Sequence, residues 1–217
     1  MGKFDNAWWV NSTIREVALS PKSGAMAAKL MRPDSVRIWH DQLLVKPVYS
    51  TEKSREATRV GWHRDYSYWD SISSSNMITI WYPLQDSEPL NGTINFVRGS
   101  NKLRRFNDEG EFYSPELESE RKRISLLGFN WEEVPAILPA GAASFHHALT
   151  IHGSSENMGD EERISLVVHY MPGDSVLQPN GYPHTHARMQ GPFSQAGDSF
   201  DDSRHPVVWA KDWNKEM

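Results

Sequence analysis

Two histidines and an aspartate are spaced in this sequence so that they could hold one metal ion. His63 and Asp65 form a His-x-Asp pair within residues 61–66. On an extended backbone, residues i and i+2 point to the same side, so the imidazole and the carboxylate can bind one ion. His152 is the leading candidate for a third ligand. Two histidines and one carboxylate on one face of an iron ion leave three positions open, which is the arrangement that binds Fe(II) for oxygen activation.

Two residues that follow this third histidine, Ser154 and Arg163, could together bind a carboxylate. Arg163 opens a predicted strand, and its guanidinium offers a planar fork of donors that grips a carboxylate with two hydrogen bonds. Ser154 could add a hydroxyl donor to the same carboxylate. A dicarboxylate that chelates iron at one end needs such an anchor at its other end. The alternative for Arg163 is a surface strand residue that pairs with the acidic residues 160–162.

The elements that must position these residues are predicted to be β-strands. Residues 35–48 alternate with period two, which places His40, Gln42, Leu44 and Lys46 on one face. Further strands are predicted at residues 76–84, 93–97, 142–147 and 163–170, because these segments are rich in β-branched and aromatic residues and Asn91-Gly92 is a turn signal.

Two short helices are predicted before the first strand. Thr13 and Glu16 match a capping box at the start of the first helix. The dipeptide Ser20-Pro21 matches an N-cap and a first helical position for a second helix, which runs to Met31. These signals predict a helical lead-in over residues 1–34.

The rest of the chain is predicted to form one barrel domain within residues 1–217. Residues 35–172 hold the strands, with a long polar insertion at residues 101–135. Residues 173–217 are rich in Gly, Pro, His and Asp without periodicity, which predicts an irregular tail around the barrel. Many short strands with few helices favour a mainly β (α+β) fold, a sandwich or a barrel such as a jelly roll.

Composition excludes several classes of protein. The net charge is −5 without a dominant Lys/Arg cluster, so a nucleic-acid partner has no electrostatic support. The sequence has no cysteine, which excludes disulfides, iron–sulfur clusters and thiol nucleophiles and fits a reducing compartment. No apolar run approaches the roughly 18 residues of a membrane helix, and residues 1–10 lack the apolar core of a signal peptide. A cytoplasmic location without a membrane partner is expected.

Four segments resemble one family in their order, spacing and residues. They are Trp62-His63-Arg64-Asp65-Tyr66, Asn91-Gly92-Thr93, Val97-Arg98-Gly99-Ser100, and the segment from His152 to Asn157 that precedes Arg163. This pattern is similar to the phytanoyl-CoA dioxygenase family, over about residues 36–172. Members of that family are iron- and 2-oxoglutarate-dependent oxygenases on a double-stranded β-helix, a jelly-roll or cupin-like barrel. One departure is Asn101, which stands where the family has a histidine outside the metal ligands.

The resemblance implies roles for specific residues. It implies that the ligands of Fe(II) are His63, Asp65 and His152. It implies that the distal carboxylate of 2-oxoglutarate, which is a co-substrate together with O2, is bound by Arg163 and Ser154. Further contacts to the co-substrate are implied for Gln42 and Trp81. Halogenating relatives lack the carboxylate ligand, so the presence of Asp65 favours hydroxylation or a related oxidation.

Several aromatic residues and histidines are candidates for the wall of a substrate pocket. Aromatic walls would suit an apolar or partly aromatic small molecule. The candidate substrate-binding residues are therefore Tyr66, Tyr68, Trp69 and His169. The alternative for the three aromatic residues is packing against the rim of the barrel. His146 and His147 differ in strand parity, so only one of them can face the pocket, while His184, His186 and His205 fall in the irregular tail.

Together these features predict a dioxygenase that hydroxylates or otherwise oxidises a small organic molecule and releases succinate and CO2. The first alternative is a cupin-like barrel that binds a metal or a ligand without turnover, since fold does not fix function. A second alternative is a zinc hydrolase with the same three ligands, although the sequence has no His-Glu-x-x-His motif. A serine hydrolase is excluded because the sequence has no Gly-x-Ser-x-Gly motif.

Overall fold

The structure is a computed structural model that describes residues 1–50, 58–69, 71–103, 121–122, 125–126, 128–178 and 194–215. Two α-helices lie in these ranges, α1 at Ser12–Ala18 and α2 at Pro21–Met31. The strands within the described ranges are β1 Gly2–Asp5, β2 Ser35–Lys46, β3 Val60–His63, β4 Ile78–Pro83, β5 Ile94–Val97, β6 Glu133–Pro135, β7 Ser144–His147, β8 His152–Ser154, β9 Arg163–Pro172 and β10 Val207–Ala210. None of the described helices is long and apolar enough to cross a membrane.

The strands form two antiparallel sheets, which together make the predicted jelly-roll barrel. The larger sheet has the order β1-β2-β9-β4-β7, and β10 also pairs with β2. The smaller sheet has the order β3-β8-β5-β6. Side chains from both sheets line one cavity between them. The mainly β fold with short N-terminal helices is therefore confirmed.

The two helices cover the outer face of the larger sheet. The N-cap of α1 is Asn11, whose side chain accepts a hydrogen bond from the Ile14 amide at 3.0 Å. The predicted capping box at Thr13 is therefore wrong, because Thr13 already lies inside the helix. The Ser20 cap of α2 and Pro21 as its first residue are as predicted.

Both ends of the chain contain a strand that the sequence patterns missed. The lead-in over residues 1–34 is not wholly helical, because β1 pairs with β2 from Gly2 opposite Val45 to Asp5 opposite Gln42. The tail over residues 173–217 is not wholly irregular, because β10 pairs with the start of β2. Pairing with a distant strand stabilises these short segments, and no local pattern records such pairing.

Two further predictions concern stretches that are only partly described. Most of the predicted insertion at residues 101–135 lies outside the described residues, although its last three residues form β6. His184 and His186 also lie outside the described residues. His205 is described and is buried in the tail, where its ring stacks on Trp39 with 5.1 Å between centroids. This residue therefore packs into the structure instead of lying in a loose loop.

A β-bulge in β2 decides which of its side chains face the cavity. The pairing with β9 shifts between Ile38 and His40, so the chain gains one residue there. Val36 and Ile38 belong to the core under the helices, whereas Gln42 and Leu44 line the cavity. Without the bulge, period two would put all of these residues on one face.

The register of the larger sheet arranges the interior side chains in transverse rows. Lys46 on β2 lies opposite Arg163 on β9. The row at the other end of the barrel runs across β2, β9, β4 and β7 and consists of His40, His169, Thr79 and His146. The cavity therefore has a cationic end at Arg163, with Lys46 beside it, and its other end is lined by Thr79, His146 and His169.

Candidate active site

The three predicted metal ligands meet where the smaller sheet faces the larger one. His63 ends β3 and lies directly opposite His152, which begins β8. Arg64 between His63 and Asp65 is extended, with φ −114° and ψ 134°, so both flanking side chains project to the same side. Gly153 lets β8 come close to β3, since a Cβ there would lie 3.0 Å from the Val60 carbonyl oxygen.

The distances between the ligand atoms suit one metal ion. Asp65 Oδ1 lies 3.7 Å from His63 Nε2 and 3.5 Å from His152 Nε2. The three ligand atoms all lie within 4.8 Å of one another. Two atoms that each bind one ion at about 2.1 Å can be no more than about 4.2 Å apart. Small adjustments of buried side chains would therefore complete a site with two nitrogen ligands and one oxygen ligand.

Backbone carbonyls set the tautomer of both histidines. His63 Nδ1 lies 2.8 Å from the Gly61 oxygen, and His152 Nδ1 lies 2.9 Å from the Thr150 oxygen. A carbonyl only accepts, so each Nδ1 carries the proton and each Nε2 keeps its lone pair. Metal-bound histidines are typically oriented in this way by a second hydrogen bond.

The electrostatics of the site favour the ionisation states that bind metal. Burial would raise the pKa of Asp65, but the neighbouring histidines, His152 first and then His146 and His63, outweigh burial and hold this pKa well below its usual value. Burial, followed by the charge of His63, lowers the pKa of His152 well below its usual value. A carboxylate beside a neutral imidazole is the form in which both groups coordinate a metal.

Arg163 and Ser154 both line the cavity, at its cationic end. Arg163 is only 3% exposed, which excludes the alternative of a surface strand residue. Its Nη1 donates to Ser165 Oγ at 3.1 Å, its guanidinium carbon lies 5.3 Å from the centre of the Trp81 ring, and its buried Nε has no partner among the described residues. Burial lowers the pKa of Arg163 to about 10, so the side chain stays charged at neutral pH.

Lys46 is a second buried cation that the sequence analysis did not assign to the site. It is fully buried, and its Nζ donates to Ser154 Oγ at 2.6 Å and to the Ser155 carbonyl oxygen. Burial, followed by the charge of Arg163, lowers the pKa of Lys46 well below its usual value, while Glu156 acts in the opposite direction. The sequence did place Lys46 on the same predicted strand face as Gln42. The position of Lys46 opposite Arg163, however, depends on the pairing of β2 with β9.

Two neighbouring buried cations need an anion. Glu156 is the acidic residue that acts on Lys46, but its carboxylate forms an ion pair with Arg59 at 2.8 Å. A carboxylate in the cavity could accept bonds from the guanidinium, the ammonium and a serine hydroxyl together, and charge-assisted bonds of this kind are strong. The residues present therefore fit the distal carboxylate of a dicarboxylate such as 2-oxoglutarate.

The cavity connects the metal ligands to the cationic end. Its volume, counted out through the open mouth and including open solvent, is about 550 Å³. Gln42, Trp81 and His169 line it, as the sequence analysis expected of their strand faces. Gln42 donates a hydrogen bond from Nε2 to Asp5 Oδ1 at 2.9 Å, so β1 orients this amide at the edge of the cavity.

The predicted aromatic substrate residues lie mainly in the packed core beside the site. Trp69 is buried in a cluster with Trp39 and Ile72, and Tyr66 and Tyr68 pack against that cluster. Tyr66 also donates from its hydroxyl to the Ile72 carbonyl at 2.9 Å. These three residues are not among those that line the cavity, so their geometry agrees with the packing alternative. A role for them in substrate binding stays a prediction.

The fold and the site define a jelly-roll barrel with three ligands for a metal and a separate anion-binding end. Comparison of the sequence with known families gives a match over residues 5–165 to the phytanoyl-CoA dioxygenase (PhyH) family. The chain belongs to this family, and the predicted family is confirmed. A comparison with curated proteins finds no match.

Solved structures with a similar fold include two α-ketoglutarate-dependent enzymes and one protein in complex with 2-oxoglutarate. The non-haem α-ketoglutarate-dependent epimerase SnoN from nogalamycin biosynthesis is 26% identical, with a TM-score of 0.74 over 95% of this chain and 77% of that chain. The carbocyclase SnoK from the same biosynthesis is 24% identical, with a TM-score of 0.74 over 95% and 75% of the two chains. EctD from S. alaskensis, in complex with 2-oxoglutarate and 5-hydroxyectoine, is 17% identical, with a TM-score of 0.69 over 92% and 64%. At these sequence identities, the similarity of SnoK and EctD to this chain concerns the fold alone.

Proposed function

We propose that the protein is an Fe(II)- and 2-oxoglutarate-dependent dioxygenase that hydroxylates, or otherwise oxidises, a small organic molecule and releases succinate and CO2. One observation carries the proposal: a buried set of metal ligands and the buried Arg163 line the same cavity, and the buried Lys46 lies opposite Arg163 and donates to Ser154 in the cavity wall. A simple metal-binding barrel has no need for Lys46 and Arg163, which are costly to bury without an anionic partner.

One group of residues would bind the metal, and a second group would bind the co-substrate. His63, Asp65 and His152 would hold Fe(II), which supplies the activation of O2 and the oxidative decarboxylation of 2-oxoglutarate. Arg163 and Lys46 would bind the distal carboxylate and neutralise its charge. Ser154 would donate its hydroxyl to that carboxylate, because Lys46 already donates to the serine oxygen.

The walls of the cavity would orient the co-substrate and limit its contact with water. Trp81 and Val167 occupy the wall between the two polar ends, so the chain of the co-substrate would lie against apolar side chains. The position of the cationic end then determines which end of the dicarboxylate reaches the metal. The substrate would enter on the open side of the metal, and its identity is proposed no further than a small organic molecule.

Hydroxylation is the outcome that we favour within this reaction class. The carboxylate ligand Asp65 is present, which argues against a halide in its place. The structural neighbours include an epimerase and a carbocyclase, so one type of barrel supports several oxidative outcomes in those proteins. Products therefore need to be identified by mass once a substrate is found.

The proposal is tested by anaerobic titration of the protein with Fe(II) and 2-oxoglutarate. Chelation of iron by 2-oxoglutarate gives a weak metal-to-ligand charge-transfer band in the visible. We expect the band in the parent, its loss in His63→Ala, and a requirement for far more 2-oxoglutarate in Arg163→Ala. The matched control is Arg98→Ala, since Arg98 is an exposed arginine that pairs with Glu132 on the surface.

Two results would contradict the proposal. If the parent binds iron but shows no band with 2-oxoglutarate, a metal-binding barrel or a hydrolase becomes the better interpretation. If the band forms but O2 yields no succinate with any substrate or by uncoupled turnover, the protein binds the co-substrate without catalysis.

A further inference from the structure

We propose that Thr79 and His146 are positioning residues that hold one oxygen of Asp65, so that this carboxylate offers only its other oxygen to the metal. The inference rests on the proposed function, because it concerns the same metal site. It assigns a role to two residues that neither coordinate the metal nor bind the distal carboxylate.

The two oxygens of Asp65 face different partners. Oδ1 is the oxygen near both ligand histidines, at 3.5 Å and 3.7 Å from their Nε2 atoms. Oδ2 accepts a hydrogen bond from Thr79 Oγ1 at 2.7 Å and lies 3.2 Å from His146 Nε2. Metal contact and hydrogen bonding are therefore divided between the two atoms of one carboxylate.

The directions of the protons follow from the chemistry of these groups. An ionised carboxylate only accepts, so His146 Nε2 carries the proton that points to Oδ2. His146 Nδ1 is buried without a partner in the described part of the chain, which agrees with a neutral ring protonated on Nε2. Thr79 has one hydroxyl proton and directs it to Oδ2, so its oxygen accepts from His169 Nδ1 at 2.9 Å.

The sheet register holds these donors in place. Thr79 on β4 is paired with His146 on β7 and with His169 on β9, so all three project from adjacent positions of the larger sheet. Asp65 follows β3 of the smaller sheet. The hydrogen bonds thus join the two sheets across the cavity, at the point where the third ligand must be fixed.

Holding Oδ2 has a consequence for the open coordination positions. A carboxylate that is free to rotate can bind a metal through both oxygens and occupy an additional position. With Oδ2 held by two donors, Asp65 occupies one position, and three remain for a chelating co-substrate and O2. Loss of the donors should therefore both weaken metal binding and change the geometry of the bound metal.

The test uses Co(II) without 2-oxoglutarate as a probe and compares two pairs of variants. Thr79→Val removes the hydroxyl but keeps the branched shape, and Thr79→Ser keeps the hydroxyl. His146→Leu removes the donor, and His146→Gln keeps an N–H donor at a similar reach. Titration followed by d–d absorption gives both the affinity and the coordination number of the bound Co(II).

We expect Thr79→Val and His146→Leu to bind Co(II) about 10- to 100-fold more weakly, as is typical when a supporting hydrogen bond to a ligand is removed. Their d–d bands should also change in intensity, whereas Thr79→Ser and His146→Gln should keep most of the affinity and the parent spectrum. A purely structural role would lower thermal stability without this rescue and without a change in the spectrum.

The outcomes separate this inference from the proposed function. If Thr79→Val and His146→Leu bind Co(II) with the affinity and spectrum of the parent, the inference is overturned while the proposed function stands. If the parent binds no divalent metal, both this inference and the proposed function are overturned. If one donor-free variant does not fold, the pair at the other residue makes the same comparison.

Discussion

Replacing Lys46 by methionine should weaken the binding of 2-oxoglutarate and at the same time stabilise the empty protein. Lys46 is fully buried opposite Arg163, so two basic side chains lie side by side at the cationic end of the cavity. Methionine has a similar length without the charge, and its flexible thioether adapts to irregular space. The hydroxyl of Ser154 loses the ammonium as a partner but remains next to the cavity.

The expected loss of affinity follows from one charge-assisted hydrogen bond. Hydrogen bonds to charged groups contribute about 1.5–3 kcal/mol. Removing one such hydrogen bond from the bound carboxylate should therefore weaken the binding of 2-oxoglutarate by about 10- to 150-fold. Arg163 keeps its own contacts, so binding should be weakened and not abolished.

The expected gain in stability comes from the cost of burying the ammonium. Burial, followed by the charge of Arg163, holds the pKa of Lys46 well below its usual value. Replacing poorly compensated buried charge by an apolar side chain stabilises by roughly 1–4 kcal/mol. For a chain of this size each kcal/mol raises the melting temperature by about 2–4 °C.

The stability gained through Lys46→Met should decrease as the pH rises. Between the lowered pKa of the folded state and the usual value of 10.5, the unfolded chain binds a proton at Lys46 that the folded chain does not. The free energy of unfolding of the parent therefore rises with pH through this window. Across pH 7 to 10, the stability advantage of Lys46→Met should therefore shrink as the pH rises.

The assay is thermal unfolding of the metal-free protein from pH 7 to 10, combined with anaerobic titration of 2-oxoglutarate at the Fe(II)-loaded site. The control is Lys211→Met, because Lys211 is an exposed lysine that pairs with Asp34 on the surface. Unchanged affinity in Lys46→Met would refute the role of this lysine at the carboxylate. A lower melting temperature at pH 7 would refute the cost assigned to its burial.

Three further variants test other parts of the structure. Arg163→Lys should raise the concentration of 2-oxoglutarate needed for half-saturation of the charge-transfer band by about tenfold or more, because lysine lacks the planar fork and the stacking on Trp81; an unchanged titration would contradict bidentate binding. Tyr66→Phe should lower the free energy of unfolding in urea by about 0.5–1.5 kcal/mol through loss of the bond to the Ile72 carbonyl, with no change in 2-oxoglutarate affinity. Burial lowers the pKa of His205 to about 4, so the folded chain binds fewer protons than the unfolded chain between that pKa and 6.5, and stability falls as pH falls through this window. His205→Phe should reduce that acid sensitivity in urea unfolding from pH 7 to 4.5, and an unchanged slope would show that other groups cause it.

The sequence by itself determined the residue types and local spacings of the metal site. His63 and Asp65 are separated by one residue in an extended segment, so a local rule places both on one side. The cap and first turn of α2 were predicted for the same reason, since Ser20 and Pro21 act on the backbone beside them. His152 and Arg163 are remote in the sequence; their residue types made them candidates, and the resemblance to a family implied their roles as metal ligand and carboxylate anchor.

Only the tertiary structure decided which distant residues meet. Lys46 lies opposite Arg163, and Thr79 lies beside His146, because antiparallel strands pair in one particular register. The bulge in β2 and the pairing of β1 and β10 with that strand also depend on hydrogen bonds to distant backbone. Local periodicity determines the face of a strand but not its partner, so the support around Asp65 and the second cation could not be derived from spacing along the chain.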